Sequence, residues 1–262
     1  MPLWHAARPL VKALAVIPAR YASSRLPGKP LIPLAGKPMI QHVWERACRA
    51  ENISRVLVAT DDDRILQAVR GFGGEAVMTR PDHTSGTARV AEVAAHAGAD
   101  IVINIQGDEP LLDPAAISSL LPPFDEQSVS LATLCTPIRE HRDIMDPNIV
   151  KVVLDFQGDA LYFSRAPIPW VRGDGRPSAP RHLKHLGLYA ARRETLLEFL
   201  TLPPGELETL EQLEQLRWLE NGYRIRVVET AYDSVSVDVP DDIPRVEKLL
   251  REIPTEKSAS SG

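Results

Sequence analysis

The chain is organised by one stretch near its start, VIPARYASSRLPGKP, which spans residues 16–30. The apolar run 13–17 that leads into it predicts a buried strand, and Pro18 ends that strand. The loop that follows carries Arg20, Arg25 and Lys29 ahead of a predicted helix. Open α/β sheets bind their ligands at the carboxyl ends of the strands, so these cations indicate a site for a polyanion such as a nucleoside triphosphate. An ordinary solvated basic loop is the alternative, because Lys and Arg are mostly exposed.

Composition limits the class of protein. The 262 residues are 44% hydrophobic and 25% charged, as is typical of a soluble globular chain. The net charge of −5 argues against a general nucleic-acid binder. No stretch approaches the ~20 apolar residues that a membrane helix needs, so neither nucleic acid nor a membrane is an expected partner. Cys48 and Cys135 lack metal-ligand spacing, which favours a reduced, cytoplasmic setting. Neither a P-loop nor a GxGxxG dinucleotide fingerprint occurs.

The order of apolar runs predicts the organisation of the chain. Strands alternate with helical patterns, which predicts an α/β fold with a mostly parallel central sheet. Strands between residues 129 and 163 lack intervening helices and are expected to be partly antiparallel. We expect an N-terminal extension (1–12), one domain (13–252) with an insertion at about 140–190, and a disordered tail (253–262).

Two aspartates follow predicted strands. The run 100–105 is rich in β-branched residues and predicts a central buried strand that ends at Gln106-Gly107-Asp108. A second predicted strand, 234–239, places Asp238 at or near its end. Carboxylates with few other protein ligands suit Mg²⁺, which takes the rest of its shell from water and phosphate. A basic loop and strand-end carboxylates together indicate metal-assisted phosphoryl or nucleotidyl transfer, with a simple turn aspartate as the alternative for Asp108.

Other acidic residues have a structural interpretation. Asp61 to Asp63 are better explained as the cap of a helix than as a metal site. Leucines at every third position from Leu207 to Leu219 predict one helix that ends at Asn221-Gly222. The carboxylates between these leucines, Glu214 included, are expected on the solvated face.

A set of motifs then identifies a resemblance that covers about residues 13–252. The motifs are IPARYASSRLPGKP, VATDD, MTRPDHTSGT, NIQGDEP, NIVKVV, ALYFSRAPIPW, KHLGLY, LEQLEQLR and VDVPDD. Their order and number resemble the cytidylyltransferases that activate acidic sugars, in particular members acting on 3-deoxy-D-manno-octulosonate (Kdo). The resemblance implies a Rossmann-like nucleotidyltransferase domain of the nucleotide-diphospho-sugar transferase type, with a dimerising, sugar-binding insertion. It also implies Mg²⁺-dependent transfer of CMP from CTP to Kdo with release of pyrophosphate, by a homodimer, for lipopolysaccharide biosynthesis.

The resemblance also implies residue roles. The catalytic residues would be Arg20, Lys29, Asp108 and Asp238, of which Asp108 and Asp238 would bind Mg²⁺. The nucleotide would contact Ala19, Arg20, Arg25, Lys29, Arg80, Ser85, Gln106 and Asp108. The sugar would contact Gln106, Arg165, Arg172, His185, Tyr189, Glu214 and Gln215. For Glu214, the resemblance replaces the solvated face with a contact to a sugar hydroxyl.

Three alternatives stay open at this point. Ala190-Ala191 and the loop 173–182 depart from the family pattern beside the sugar site, so sialic acid or 8-amino-Kdo could be the acceptor. A metal-dependent glycosyltransferase would consume a nucleotide sugar instead of CTP. A catalytically inactive regulator would bind CTP without turnover, although Lys29, Asp108 and Asp238 are all present.

Overall fold

The computed structural model describes residues 12–22, 26–172 and 182–252. The strands are β1 (Ala13–Ala19), β2 (Pro33–Leu34), β3 (Lys37–Pro38), β4 (Ile53–Thr60), β5 (Glu75–Met78), β6 (Ile101–Asn104), β7 (Leu131–Pro137), β8 (Lys151–Leu154), β9 (Ala160–Ser164), β10 (Leu183–Arg192) and β11 (Arg226–Glu229). The α-helices are α1 (Met39–Ala47), α2 (Asp63–Gly71), α3 (Gly86–His96), α4 (Pro114–Ser118), α5 (His141–Met145), α6 (Arg193–Glu198), α7 (Glu206–Glu211), α8 (Gln215–Glu220) and α9 (Asp242–Glu252). Each of these helices is too short or too polar to span a lipid bilayer.

Nine of the strands form one mixed sheet in the order β11-β7-β10-β6-β1-β4-β5, with β8 paired to β10 and β9 paired to β8, whereas β2 and β3 pair with each other in a separate two-stranded sheet. The pairs β6·β1, β1·β4, β4·β5 and β11·β7 are parallel, whereas β10 runs antiparallel to β6, β7 and β8. The expected α/β fold with a mostly parallel sheet and some antiparallel strands is therefore confirmed.

Strand β6 lies at the centre of the sheet, as its sequence predicts. Its four residues are buried, because one face packs with α1, α2 and α4 and the other with α3, α6 and α8. Ile103 belongs to the first of these two apolar clusters and Val102 to the second. A β-branched run suits a strand covered on both faces. The carboxyl ends of β1 and β6 consequently open at the same edge of the sheet.

The helix predicted over 207–219 is divided in two. Helix α7 ends at Gln212, whose φ of +53° stops the helical path, and α8 begins at Gln215. A repeat of three residues drifts around a helix of 3.6 residues per turn, so the leucines cannot all face one side. Leu210 is 72% exposed, whereas Leu213 and Leu216 are buried. The prediction of a single helix was wrong.

Asp238 does not follow a strand. Residues 230–241 run outside the described strands, and the segment is held by single bonds instead of a ladder. Val237 N donates to Asp108 O at 3.0 Å, and Asp238 N donates to Asp242 Oδ2 at 2.8 Å. The start of α9 and the loop after β6 thus position Asp238 together.

Some expectations lie outside the described residues. They are Arg25, the expected extension apart from Lys12, most of the loop 173–182, and the expected tail at 253–262. The boundaries of the insertion at about 140–190 stay a prediction, although β8 and β9 do pair antiparallel, as expected for this region.

Candidate active site

A cleft of about 280 Å³ opens at the carboxyl ends of β1 and β6. The residues that line it come from the end of β1, the loops after β1 and β6, the loop before α3 with the first turn of that helix, and the segment before α9. They are Pro18, Ala19, Arg20, Lys29, Pro30, His83, Thr84, Ser85, Gly86, Arg89, Gln106, Gly107, Asp108 and Asp238. The position at the ends of parallel strands is the one that open α/β sheets use for ligands.

The floor of the cleft is packed around Pro18. A Cβ added at Gly107 would lie 3.2 Å from Pro18 O, and one added at Gly86 would lie 3.3 Å from Pro18 Cγ. The loop after β6 and the start of α3 can therefore approach the end of β1 because neither glycine carries a side chain.

Lys29 lies between the two predicted metal ligands. Its Nζ is 2.6 Å from Asp108 Oδ2 and 3.2 Å from Asp238 Oδ1. Gly28, with a φ of +69°, turns the chain into the short 3₁₀ helix Lys29–Leu31 that presents this side chain. One cation thus faces two carboxylates, and this brings together three residues that are far apart in the sequence.

The predicted nucleotide-binding residues divide into those in the cleft and those outside it. Ala19 and Arg20 line it directly. Ser85 lines it as the N-cap of α3, where its Oγ accepts from Ala88 N at 3.2 Å. Gln106 also lines it, and its Nε2 donates to Gly187 O at 3.1 Å.

Arg80 is a predicted nucleotide ligand that lies outside the cleft. Its exposed guanidinium pairs with Asp82 at 3.2 Å.

A second, smaller cavity of about 40 Å³ adjoins the cleft. Tyr189, Glu214 and Gln215 line it, as do Thr87 and Asn104. Thr87 Oγ1 donates to the Glu214 carboxylate, and the buried Oδ1 of Asn104 has no hydrogen-bond partner among the described residues. The two cavities are lined by neighbouring residues, because Gly86 of α3 and Gln106 after β6 line the first, whereas Thr87 of α3 and Asn104 at the end of β6 line the second.

His185 lies next to this second cavity in an apolar setting. Its ring centroid is 4.9 Å from that of Phe163 and 5.4 Å from that of Tyr189. Nε2 is 3.0 Å from Thr133 Oγ1. Burial lowers the pKa of His185 to about 3, so the imidazole is neutral at physiological pH.

The remaining two predicted sugar ligands lie outside both cavities. The guanidinium of Arg165 donates to backbone carbonyls of Pro147, Glu211 and Gln212. Arg172 is exposed, next to residues that the structure does not describe. Their contact with a sugar stays a prediction.

Arg89 is a cleft residue that the sequence analysis missed. It is 3% exposed, and its guanidinium donates to Asp61 Oδ2 at 2.8 Å and to Thr79 Oγ1. An arginine within the apolar helix sequence TARVAEVAAH could have signalled a buried ion pair. Asp62 caps α2 by accepting from Arg64 N at 2.9 Å, which confirms the capping prediction for that member of the acidic run.

Glu109 lies behind Asp108 and is 6% exposed. Burial, together with the charge of Asp108, raises the pKa of Glu109 to about 7. Tyr232 Oη donates to Glu109 Oε2 at 3.0 Å. This bond gives the buried carboxyl a partner on the segment that leads to Asp238.

Comparison with known proteins identifies the family. Residues 14–225 match the family model described as Cytidylyltransferase. The chain is 55% identical over 246 residues to a 3-deoxy-manno-octulosonate cytidylyltransferase of Geobacter sulfurreducens, covering 90% of this chain and 98% of the relative. It is 54% identical over 241 residues to the protein of the same name from Solibacter usitatus, covering 92% and 95%.

The fold gives the same result. A solved structure of CMP:2-keto-3-deoxy-manno-octonic acid synthetase complexed with CTP superimposes with a TM-score of 0.88 and 48% identity, covering 92% of this chain and 99% of that one. The chain therefore belongs to the cytidylyltransferase family, in the group of the 3-deoxy-manno-octulosonate cytidylyltransferases.

Proposed function

We propose that this enzyme transfers CMP from CTP to the anomeric hydroxyl of Kdo, giving CMP-Kdo and pyrophosphate. The names of its relatives and the CTP complex of its structural neighbour support this reaction. The observation that carries the proposal is the convergence of Lys29, Asp108 and Asp238 in one cleft at the ends of β1 and β6. Activation of Kdo for lipopolysaccharide biosynthesis is the role proposed for the product.

The nucleotide is proposed to lie in the larger cleft. Arg20 and Lys29 would hold the triphosphate, with Arg25 assisting, and Ala19, Arg80, Ser85 and Gln106 would serve the rest of CTP. The cleft supports this placement, because Ala19, Arg20 and Lys29 all line it. In-line attack by the sugar hydroxyl forms a bond to the α-phosphorus and breaks its bond to the oxygen of the departing pyrophosphate. Fixed cations stabilise the charge on that leaving group.

Asp108 and Asp238 are proposed to hold Mg²⁺. An ammonium already lies within 2.6 Å of one carboxylate and 3.2 Å of the other, so both acids face a point that suits a cation. No group of three or more possible ligands from His, Cys, Asp and Glu occurs in the described ranges, which suits an ion that completes its shell with water and phosphate. When bound, Mg²⁺ neutralises phosphate charge and lowers the pKa of a coordinated hydroxyl.

The sugar is proposed to bind toward the smaller cavity. Tyr189, Glu214 and Gln215 would contact sugar hydroxyls, with His185 neutral beside them. Gln106 would reach the sugar from the cleft side. Arg165 and Arg172 complete the proposed sugar-binding set.

Pyrophosphate release tests the reaction. With CTP, Mg²⁺ and Kdo present, we expect turnover that stops when any of the three is omitted. A panel containing sialic acid and 8-amino-Kdo decides the acceptor, and we expect Kdo to be used best. Consumption of a nucleotide sugar without release of pyrophosphate would favour a glycosyltransferase. Binding of CTP without turnover would favour a catalytically inactive regulator.

We further propose a cytoplasmic homodimer. Large apolar side chains are exposed in and around the insertion, namely Met145, Phe156, Leu161 and Trp170, with exposed fractions of 57%, 105%, 62% and 80%. The second copy of the chain is proposed to cover these side chains. The cysteines are free, which suits a reducing compartment. Light scattering of the purified protein tests the dimer; a monomeric mass at micromolar concentration would contradict it.

A further inference from the structure

Lys151 is a buried cation at the start of β8. Its Nζ donates to the backbone carbonyls of Asp146, Ile149 and Arg165, at 2.9, 2.6 and 2.5 Å. An ammonium carries three protons, so these bonds use all of its donors. The charge therefore holds two segments of backbone together, the turn 146–149 before β8 and the residue that follows β9.

The side chain of Arg165 continues this network to the end of α7. Its Nε donates to Glu211 O at 2.7 Å, and its Nη2 donates to Gln212 O at 3.3 Å. The last carbonyls of a helix have no partner within the helix, so this guanidinium satisfies groups that would otherwise face water. Nη1 also donates to Pro147 O at 2.9 Å, beside the segment that Lys151 holds.

The carboxylate of Glu211 makes bonds in the opposite direction. Its Oε1 accepts from Ser164 Oγ at 2.5 Å, and its Oε2 accepts from Arg165 N at 2.8 Å. The end of β9 and the end of α7 are thus joined by donors and acceptors on both sides. Charge-assisted bonds of this kind are stronger than neutral ones.

The turn that this network fixes leads straight into the proposed sugar site. Gln212, with its positive φ, separates Glu211 from Glu214 and Gln215. We infer that Lys151 and Glu211, which both bond the backbone of Arg165, form a positioning clamp that sets the α7–α8 turn and so places Glu214 and Gln215 in the smaller cavity. The inference rests on the proposed function, because the clamp is expected to affect the binding of the sugar and not the binding of CTP. None of the three residues lines either cavity.

Steady-state kinetics of two variants test the clamp. Glu211→Gln keeps the size of the side chain and removes its charge, and Lys151→Met removes the buried ammonium. We expect the KM for Kdo to rise about tenfold in each variant, with the KM for CTP and the affinity for CTP within about twofold of wild type, since small misplacements of binding groups have effects of this size. Lys37→Met is the matched control, because Lys37 pairs with Glu45 at the surface.

A double-mutant cycle shows whether the clamp acts through Glu214. In a Glu214→Gln background, adding Glu211→Gln should change the KM for Kdo by less than about twofold, because residues that act through one another are not additive. An equal rise in both KM values, or full additivity with Glu214→Gln, would overturn the clamp.

If Lys151→Met does not fold, the more conservative Glu211→Gln carries the test. Failure of the proposed function has a different signature, because the wild-type enzyme itself would then release no pyrophosphate from CTP and Kdo.

Discussion

The proposed nucleotide end and the proposed sugar end of the site differ in charge and in contact with water. At the nucleotide end, the side chains of Lys29, Asp108 and Asp238 are 14%, 31% and 40% exposed. At the sugar end, His185 is neutral and Gln215 is buried. Burying an isolated charge is costly, whereas buried neutral groups need only hydrogen bonds. The larger cleft therefore keeps its charged side chains in contact with solvent, whereas at the smaller cavity the Glu214 carboxylate lies near the neutral side chains of Gln215 and His185.

The largest effect is expected at the carboxylates of the nucleotide end. Asp238→Asn should lower kcat by about 10³-fold, because it removes the charge of a proposed metal ligand while keeping the shape of the side chain. Pyrophosphate release measures the loss, and circular dichroism checks the fold. Asp233→Asn is the control, since the Asp233 carboxylate is exposed and pairs with Lys184. Near-normal turnover of Asp238→Asn would remove Asp238 from the mechanism.

Lys29→Met tests the contribution of the cation that lies between the two aspartates. We expect kcat to fall by about 10²-fold, the usual effect of losing one electrostatic contact to a transition state. The variant should also lose thermal stability in metal-free buffer, because Asp108 and Asp238 then face each other without the ammonium. Added Mg²⁺ should restore part of the melting temperature. An unchanged kcat would show that Lys29 stabilises the unliganded protein and takes no part in the transition state.

At the sugar end, Glu214→Gln should act on one substrate. The KM for Kdo is expected to rise about tenfold and the KM for CTP to stay within about twofold, as for the loss of one hydrogen bond to a charged group. Initial rates at varied concentrations of each substrate separate the two. Glu206→Gln, at an exposed position of α7, is the control. An equal rise in the KM for CTP would contradict the assignment of Glu214 to the sugar alone.

The smallest effect is expected on stability. The pKa of His185 is about 3 in the folded protein and about 6.5 when unfolded, so the unfolded chain binds the extra proton between these values. Stability from the neutral imidazole is therefore full above about pH 6.5 and is lost as the pH falls toward 3. Between pH 7 and 5.5, this group should remove about 1 kcal/mol from the free energy of unfolding.

Urea unfolding of wild type and His185→Gln at both pH values measures that difference. The variant should lose about 1 kcal/mol less than wild type on acidification. His96→Gln, at an exposed position, should behave as wild type. An identical pH dependence in wild type and His185→Gln would show that His185 is accessible to protons in the folded state.

Much of the fold could be predicted because the strands are strongly marked. The β-branched run of β6 and the apolar run of β1 are local signals, and the loops after them carry the charged residues. Lys29 and Asp108 therefore come together as expected, from strands that pair in parallel. Asp238 reaches the same cleft by another route, through single bonds to Asp108 and Asp242. No local pattern encodes such contacts.

The sugar end was harder to predict for the same reason. The end of α7 depends on Gln212 adopting a positive φ, which its residue type does not favour. The carbonyl contacts of Arg165 and Lys151 join segments that are distant in the sequence. Arg89 is hidden in an apolar helix, and its partner Asp61 lies in an acidic run that was assigned to capping. Tertiary contacts, not composition, determine these roles.

Pro18 is the residue against which two other segments of the cleft pack closely. Two hydrogen atoms, one on Gly86 and one on Gly107, stand where any other residue would place a carbon against it. A Cβ at either position would require the neighbouring atoms to move by a few tenths of an ångström. The close approach of three chain segments at the floor of the cleft therefore depends on the absence of a side chain at these two positions.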